Sequence, residues 1–173
     1  TVLRAGSHQS QKFLPARKTR GRRFIGLSRR GKYLIGEFDN ETELIIHLGM
    51  TGQLLIDKNE KFSKNLDQYC RAWWSLANGK TVVFRDVRRF GRIAVVGKGD
   101  YSQIPTLRDM GPEPFSDGLT GNDVWLRTKG RKSRIKTQLL SQRLIAGVGN
   151  IYADEAPVSY THLTLPTKVS VVV

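Results

Sequence analysis

A chain of 173 residues has room for one domain or two small ones, and with 39% apolar and 25% charged residues it can bury a core. Its charge is lopsided: 29 Lys and Arg against 15 Asp and Glu give +14, which points to a polyanion, nucleic acid first and an anionic membrane surface second. One cysteine, Cys70, excludes an internal disulfide and a cysteine-built zinc site within this chain, and His8, His47 and His162 are scattered without metal spacing. No apolar run reaches the length of a membrane span, and no signal peptide opens the chain, so a soluble cytosolic protein is the simplest reading.

Residues 1–15 carry little pattern. From Arg17 to Lys32 come eight basic residues and no acid, either a solvated face or a surface screened by a polyanion. Tyr33–Phe38 alternates and is rich in strand formers, and Glu43–Leu48 follows as a second strand across the polar turn Asp39-Asn40-Glu41. Gly49-Met50-Thr51-Gly52 then forms a glycine-bracketed tip before a short strand, Gln53–Ile56. A methionine on such a turn is odd, because turns carry polar residues; it is either tucked into the core or an exposed apolar wedge. Lys58–Asp67 reads as a polar loop. Arg71–Leu76 and Lys80–Arg85 flank Asn78-Gly79, a strong hairpin signal. Asp86-Val87-Arg88-Arg89-Phe90-Gly91 makes a second tip, and Arg92–Val96 resumes as a strand. Arginine with an aromatic can fill a gap in a base stack; it can also simply anchor a turn.

After a linker from Gly97 and the rigid Met110-Gly111-Pro112-Glu113-Pro114, the period changes to helical. Ser116–Asp123 leads into a helix near Val124–Thr128, six basic residues crowd Arg127–Lys136, and Ile135–Gln142 is a second helix. Gly147-Val148-Gly149-Asn150 opens a third, with Asn150 as N-cap and Asp154 and Glu155 in its first turn. Glycines ahead of a helix N-terminus allow close backbone approach and leave amides for an anion, a phosphate above all; a tight turn without a ligand is the other reading. Pro157 is expected to halt this helix after barely two turns, and residues 157–173 read as a foreign tail, outside the functional argument.

Arg30-Gly31-Lys32-Tyr33-Leu34, His47–Gly52, Asp86–Gly91 and Gly147–Glu155 occur in one order, with Met110–Pro114 between the last two. Together they resemble the formamidopyrimidine-DNA glycosylase family, bacterial enzymes that excise 8-oxoguanine and ring-opened purines. The resemblance covers about residues 1–156 and implies an α+β fold: an N-terminal β-sandwich, a helix-two-turn-helix domain and a C-terminal zinc finger, the finger being absent from this chain. The expected division is 1–98 for a partial sandwich, 99–115 for a linker and 116–156 for a partial helix-two-turn-helix domain. Lys32 matches the family's lysine that assists β-elimination. Met50, Arg88 and Phe90 match the residues that fill the space left by a flipped-out base. Asn150 matches the asparagine that grips a backbone phosphate, and Arg131 a basic DNA-contact position. Tyr69 stands where many relatives carry a DNA-contacting histidine, and Val87 replaces the commoner proline of the arginine–phenylalanine motif.

The family begins Pro-Glu, the proline amine attacking sugar C1′ and the glutamate relaying protons. This chain begins Thr1-Val2-Leu3-Arg4. The expectation is therefore a fragment truncated at both ends and inactive alone, binding damaged double-stranded DNA as a monomer in the bacterial cytoplasm at the nucleoid. No cofactor is expected in this chain, the structural zinc belonging to the missing finger. The alternatives are a non-catalytic damaged-DNA-binding module and, more remotely, a general RNA-binding basic protein.

Overall fold

Alternating apolar residues and β-branched runs before residue 98 fold as strands, and residues 1–103 form one compact unit of the chain. The computed structural model describes residues 1–57, 68–115 and 118–163, with side chains to residue 156. The polar stretch 58–67, the start of the lead-in at Ser116 and the end of the tail from residue 164 lie outside the described residues. The strands are β1 (Val2–Ser7), β2 (Phe24–Arg30), β3 (Tyr33–Phe38), β4 (Thr42–His47), β5 (Gly52–Asp57), β6 (Cys70–Leu76), β7 (Thr81–Asp86) and β8 (Arg92–Gly97). They pair antiparallel in two sheets, in the orders β1-β6-β7-β5 and β2-β3-β4-β8. Phe38, Leu44, Ile46 and Ile93 of one sheet meet Val2, Ala72, Trp74 and Phe84 of the other in a single buried cluster, which is the core of a β-sandwich. A 3-10 helix, Leu14–Thr19, adds Ala16 to it, with Phe13 just ahead, and Trp74 Nε1 donates to Thr19 Oγ1 at 3.0 Å, so the buried indole is satisfied.

The hairpin at Asn78-Gly79 has a three-residue loop rather than the two-residue turn that this dipeptide usually signals. The Leu76 amide donates to the Lys80 carbonyl at 2.8 Å, and Gly79 takes the left-handed conformation, φ +77°. Asp39-Asn40-Glu41 repeats that pattern with Glu41 at φ 57°. Two strands and the 3-10 helix had no clear signal. β2 is an edge strand whose Phe24, Ile25 and Leu27 are exposed among arginines, so it lacks the alternation that a half-buried strand shows.

Residues 104–173 form the second unit, which begins inside the stretch read as a linker. Its helices are α1 (Pro105–Arg108), α2 (Gly121–Thr128), α3 (Ile135–Leu140) and α4 (Asn150–Leu163). α2 starts three residues before the expected Val124, because Thr120 and Asp123 cap it reciprocally: the Asp123 amide donates to Thr120 Oγ1 at 3.2 Å, and the Thr120 amide to Asp123 Oδ2 at 2.9 Å. Leu139, Leu144 and Ala153 are its buried cluster, with Val124, Leu140, Ile145 and Val148 packed against them.

Two expectations for α4 are corrected. The helix runs through Pro157 to Leu163; a proline forfeits one backbone hydrogen bond, and here the ladder continues past it. Asp154 and Glu155 lie beyond the first turn, which holds no acid. Asp154 instead pairs with Lys136 Nζ at 2.6 Å on the surface, a contact that contributes little to stability.

Candidate nucleic-acid interface

The β2–β3 hairpin closes on two residues, Gly31 and Lys32, with Arg30 opposite Tyr33 and Gly31 at φ +53°. Arg29 donates to the Gly31 carbonyl at 2.8 Å, fixing the turn. Lys32 stands at the rim of a recess of about 290 Å³ lined by Gly31, Tyr33, His47, Leu48 and Gly49 among others. Although Lys32 is exposed as a whole residue, desolvation by the recess lowers its pKa from 10.5. The His47 ring tilts against Tyr33, with centroids 4.9 Å apart, and its Nδ1 accepts the Gly49 amide at 3.2 Å. That bond leaves the Nε2 side of the imidazole as the proton carrier.

Burial first, then the Lys32 and Arg92 charges, hold the His47 pKa below 6.5. A depressed histidine pKa means that the unfolded chain takes up the proton first as pH falls. The stability this group contributes is therefore present above 6.5 and is lost as pH drops through the folded value. An NMR titration of the His47 ring should give a midpoint below 6.5, and Lys32→Gln should move it up. A midpoint that ignores that substitution would rule out the Lys32 charge as a cause.

The recess shares its Leu48-Gly49 wall with the first tip. There Met50 is 70% exposed, so of its two readings the structure takes the exposed one. The second tip carries Arg88 and Phe90. Phe90 is 48% exposed, and the Arg88 guanidinium carbon lies 4.8 Å from its ring centroid. The two tips are joined. Thr51 Oγ1 donates to Asp86 Oδ1 at 2.6 Å and accepts the Arg88 amide at 3.1 Å, while Asp86 Oδ2 accepts the Gly91 amide at 2.8 Å. Their backbones also touch: a Cβ on Gly49, φ +66°, would lie 2.7 Å from the Gly91 nitrogen. Arg71, 2% exposed, sits beneath and donates to the carbonyls of Asp86 at 2.7 Å, Gln68 at 3.0 Å and Val87 at 3.4 Å. Tyr69 is next to this base: its carbonyl accepts the Asp86 amide at 3.0 Å, and the Arg85 guanidinium lies 4.9 Å from its ring centroid. Lys32, Met50, Arg88, Phe90 and Tyr69 all belong to the sandwich unit.

In the helical unit, Asn150 opens α4 and is exposed. The helix begins one residue earlier than an Asn150 cap implies, since the Ala153 amide donates to the Gly149 carbonyl at 2.9 Å. Gly147, φ +81°, does not offer its amide outward: it donates to Gln142 Oε1 at 3.0 Å, while Gln142 Nε2 donates to the Val148 carbonyl at 2.6 Å. Gln142 thus pins the loop ahead of the helix. Arg131 is exposed three residues after the end of α2.

The family model for the formamidopyrimidine-DNA glycosylase N-terminal domain matches residues 3–93, and the model for the same family's H2TH domain matches residues 110–169. The chain belongs to the formamidopyrimidine-DNA glycosylase family. A formamidopyrimidine-DNA glycosylase from Moorella thermoacetica is 42% identical over 135 residues, 78% of this chain and 48% of that protein. One from Deinococcus radiodurans is 36% identical over 165 residues, 90% of this chain and 56% of that protein. The crystal structure of the MutM (Fpg) protein from Thermus thermophilus matches with a TM-score of 0.78 at 38% identity, over 90% of this chain and 55% of that one. The Lactococcus lactis Fpg, solved with DNA containing FAPY-dG, matches with a TM-score of 0.76 at 27% identity, over 90% of this chain and 59% of that one. The chain therefore spans about half the length of the relatives it matches.

Against this family background, the residues that sequence reasoning missed are those that hold the tips and loops: Thr51, Asp86, Arg71, His47 and Gln142. Thr51, Asp86 and His47 lie inside the quoted motifs, which is the signal that could have found them.

Proposed function

We propose that this chain is part of a bifunctional DNA glycosylase and AP lyase that removes 8-oxoguanine and formamidopyrimidines from double-stranded DNA by base flipping, in the bacterial cytoplasm at the nucleoid. The observation that carries the reading is the joined pair of apolar tips, Met50 and Phe90 with Arg88, beside the Lys32 recess. A base removed from the stack leaves a gap that costs a few kcal/mol, and exposed apolar side chains at fixed spacing offset part of that cost by filling it. Among the described residues no helix is long and apolar enough to cross a membrane.

In the whole protein an amine, the N-terminal proline's in this family, attacks the sugar C1′ as the damaged base leaves, giving an imine. Loss of a C2′ proton then expels the 3′ phosphate, and a further elimination expels the 5′ phosphate. Lys32 stands at the recess beside the tips with its pKa lowered by desolvation, and in this reading it passes protons in those eliminations. Tyr69, Arg131 and Asn150 are DNA contacts in this reading, with Asn150 at the positive end of a helix facing phosphate. The family's structural zinc does not fit the residues present: Cys70 is the one cysteine, and no cluster of metal-binding side chains occurs among the described residues.

The test is binding of this chain to intact, 8-oxoguanine·C and abasic duplexes across a salt series. The expected result is a preference for the damaged duplexes, with log K falling against log salt by about 0.9 per phosphate neutralised. Salt-independent binding would sink the reading. Borohydride trapping on the 8-oxoguanine duplex separates chemistry from binding. An adduct supports the glycosylase, whereas damage preference without an adduct, even when the family's N-terminal Pro-Glu segment is added, favours a non-catalytic module.

A further inference from the structure

Three side chains that enter a duplex together must arrive as one body, because a wedge whose parts move independently gives back in lost freedom what it gains in stacking. Met50 and the Arg88/Phe90 pair come from tips more than thirty residues apart, whose bases are held by the ladders that set Gly52 opposite Asp86 and His47 opposite Arg92, while the tips themselves lie beyond the strands. Apart from backbone packing, the polar connection between the tips among the described residues runs through one hydroxyl. Thr51, adjacent to Met50 in the chain, donates to Asp86 and accepts the backbone amide of Arg88 itself. Asp86 is fully buried, and its other oxygen holds Gly91 at the far end of the second tip. The carboxylate therefore brackets Asp86–Gly91, and the hydroxyl ties that bracket to Met50.

We propose that Thr51 is a positioning residue that sets the wedge, fixing the spacing of Met50 to Arg88 and Phe90 and thereby the preference for DNA with an unstacked or missing base. The proposal rests on the wedge reading above. The role requires a group that donates and accepts at once on a short side chain. Serine retains that ability; valine keeps the shape of threonine and loses both functions; alanine loses both without adding apolar volume.

The experiment uses the full chain and its Thr51→Val, Thr51→Ala and Thr51→Ser variants. Three quantities are read: affinity for an intact duplex, affinity for a duplex with a tetrahydrofuran abasic site, and fluorescence of 2-aminopurine placed opposite that site, which reports on the stack that the wedge enters. Thr51→Val and Thr51→Ala are expected to lose about tenfold of the abasic-over-intact preference and most of the 2-aminopurine change, with intact-duplex affinity held within about twofold. Thr51→Ser restores both. The proposal is overturned if Thr51→Val or Thr51→Ala keeps the preference and the fluorescence change. It is equally overturned if intact-duplex affinity falls in step with abasic affinity, or if serine fails to rescue, since a purely structural role predicts those patterns. If the unmodified chain itself shows no abasic preference, the wedge reading has failed and takes this proposal with it.

Discussion

Arg71→Met is expected to destabilise the chain by about 3 kcal/mol, seen as a lower urea midpoint. The side chain is 2% exposed and donates to three main-chain carbonyls, those of Gln68, Asp86 and Val87. Methionine fills much of the volume but supplies no donor, so those acceptors lose charge-assisted bonds in a place water reaches poorly. Two of the three carbonyls belong to the start of the second tip, so on the proposed function the preference for damaged DNA should fall along with stability. Arg71→Lys keeps the charge, but a single ammonium cannot reproduce a fork that reaches three acceptors, and it should recover only part of the loss. A midpoint unchanged in Arg71→Met would mean that the guanidinium's desolvation cancels its bonds, as happens for some buried ions.

The second large effect is at Gly91. A Cβ there would lie 2.5 Å from Phe84 Cζ and 3.0 Å from both Asp86 Oδ2 and the His47 carbonyl. Phe84 is fully buried in the sandwich core and cannot retreat, and the other two neighbours are a tip anchor and main chain. Gly91→Ala should therefore cost about 2–4 kcal/mol, an overpacking penalty with no open side to relax into. Gly79→Ala is the control. Gly79 has a positive φ, +77°, but nothing lies within 4 Å of its added Cβ, so only backbone strain of about 1 kcal/mol applies. Equal unfolding midpoints for the two variants would show that crowding by Phe84, Asp86 and the His47 main chain is not what excludes a side chain at Gly91.

How much of this could be read from residues alone follows from where the information sits. Strands β3 to β8 were legible to within a residue or so, because alternation and the Asn78-Gly79 turn are local signals. β1 and β2 were not: Phe24, Ile25 and Leu27 are apolar yet exposed at a sheet edge, and the arginines around them suggested a charged surface rather than a strand. Met50 and Phe90 were visible as misplaced apolar residues on turns, and both are exposed. The Thr51–Asp86 bond was invisible, since it exists only once two distant tips meet. Arg71 looked like any strand arginine, and its burial is decided by what folds over it. Pro157 does not stop the helix: an interior proline forfeits one hydrogen bond, and α4 continues past it.

The pairing of β1 has a consequence in time. Val2 sits opposite Leu76, whereas β3 finds both its partners, β2 and β4, within its immediate neighbours in the chain. During synthesis, sheet β2-β3-β4 can begin to form as soon as it emerges, while β1 waits for β6. At about 5–20 residues per second that wait is roughly 4–15 s. Throughout it β1 lacks its sheet partner, although Val2 can already bond Gly21 and Arg22 through its backbone, and its side chain belongs in a core that does not yet exist. The period in which this molecule is most open to capture by a neighbouring chain is thus set by the ribosome's pace rather than by the stability of the finished sandwich.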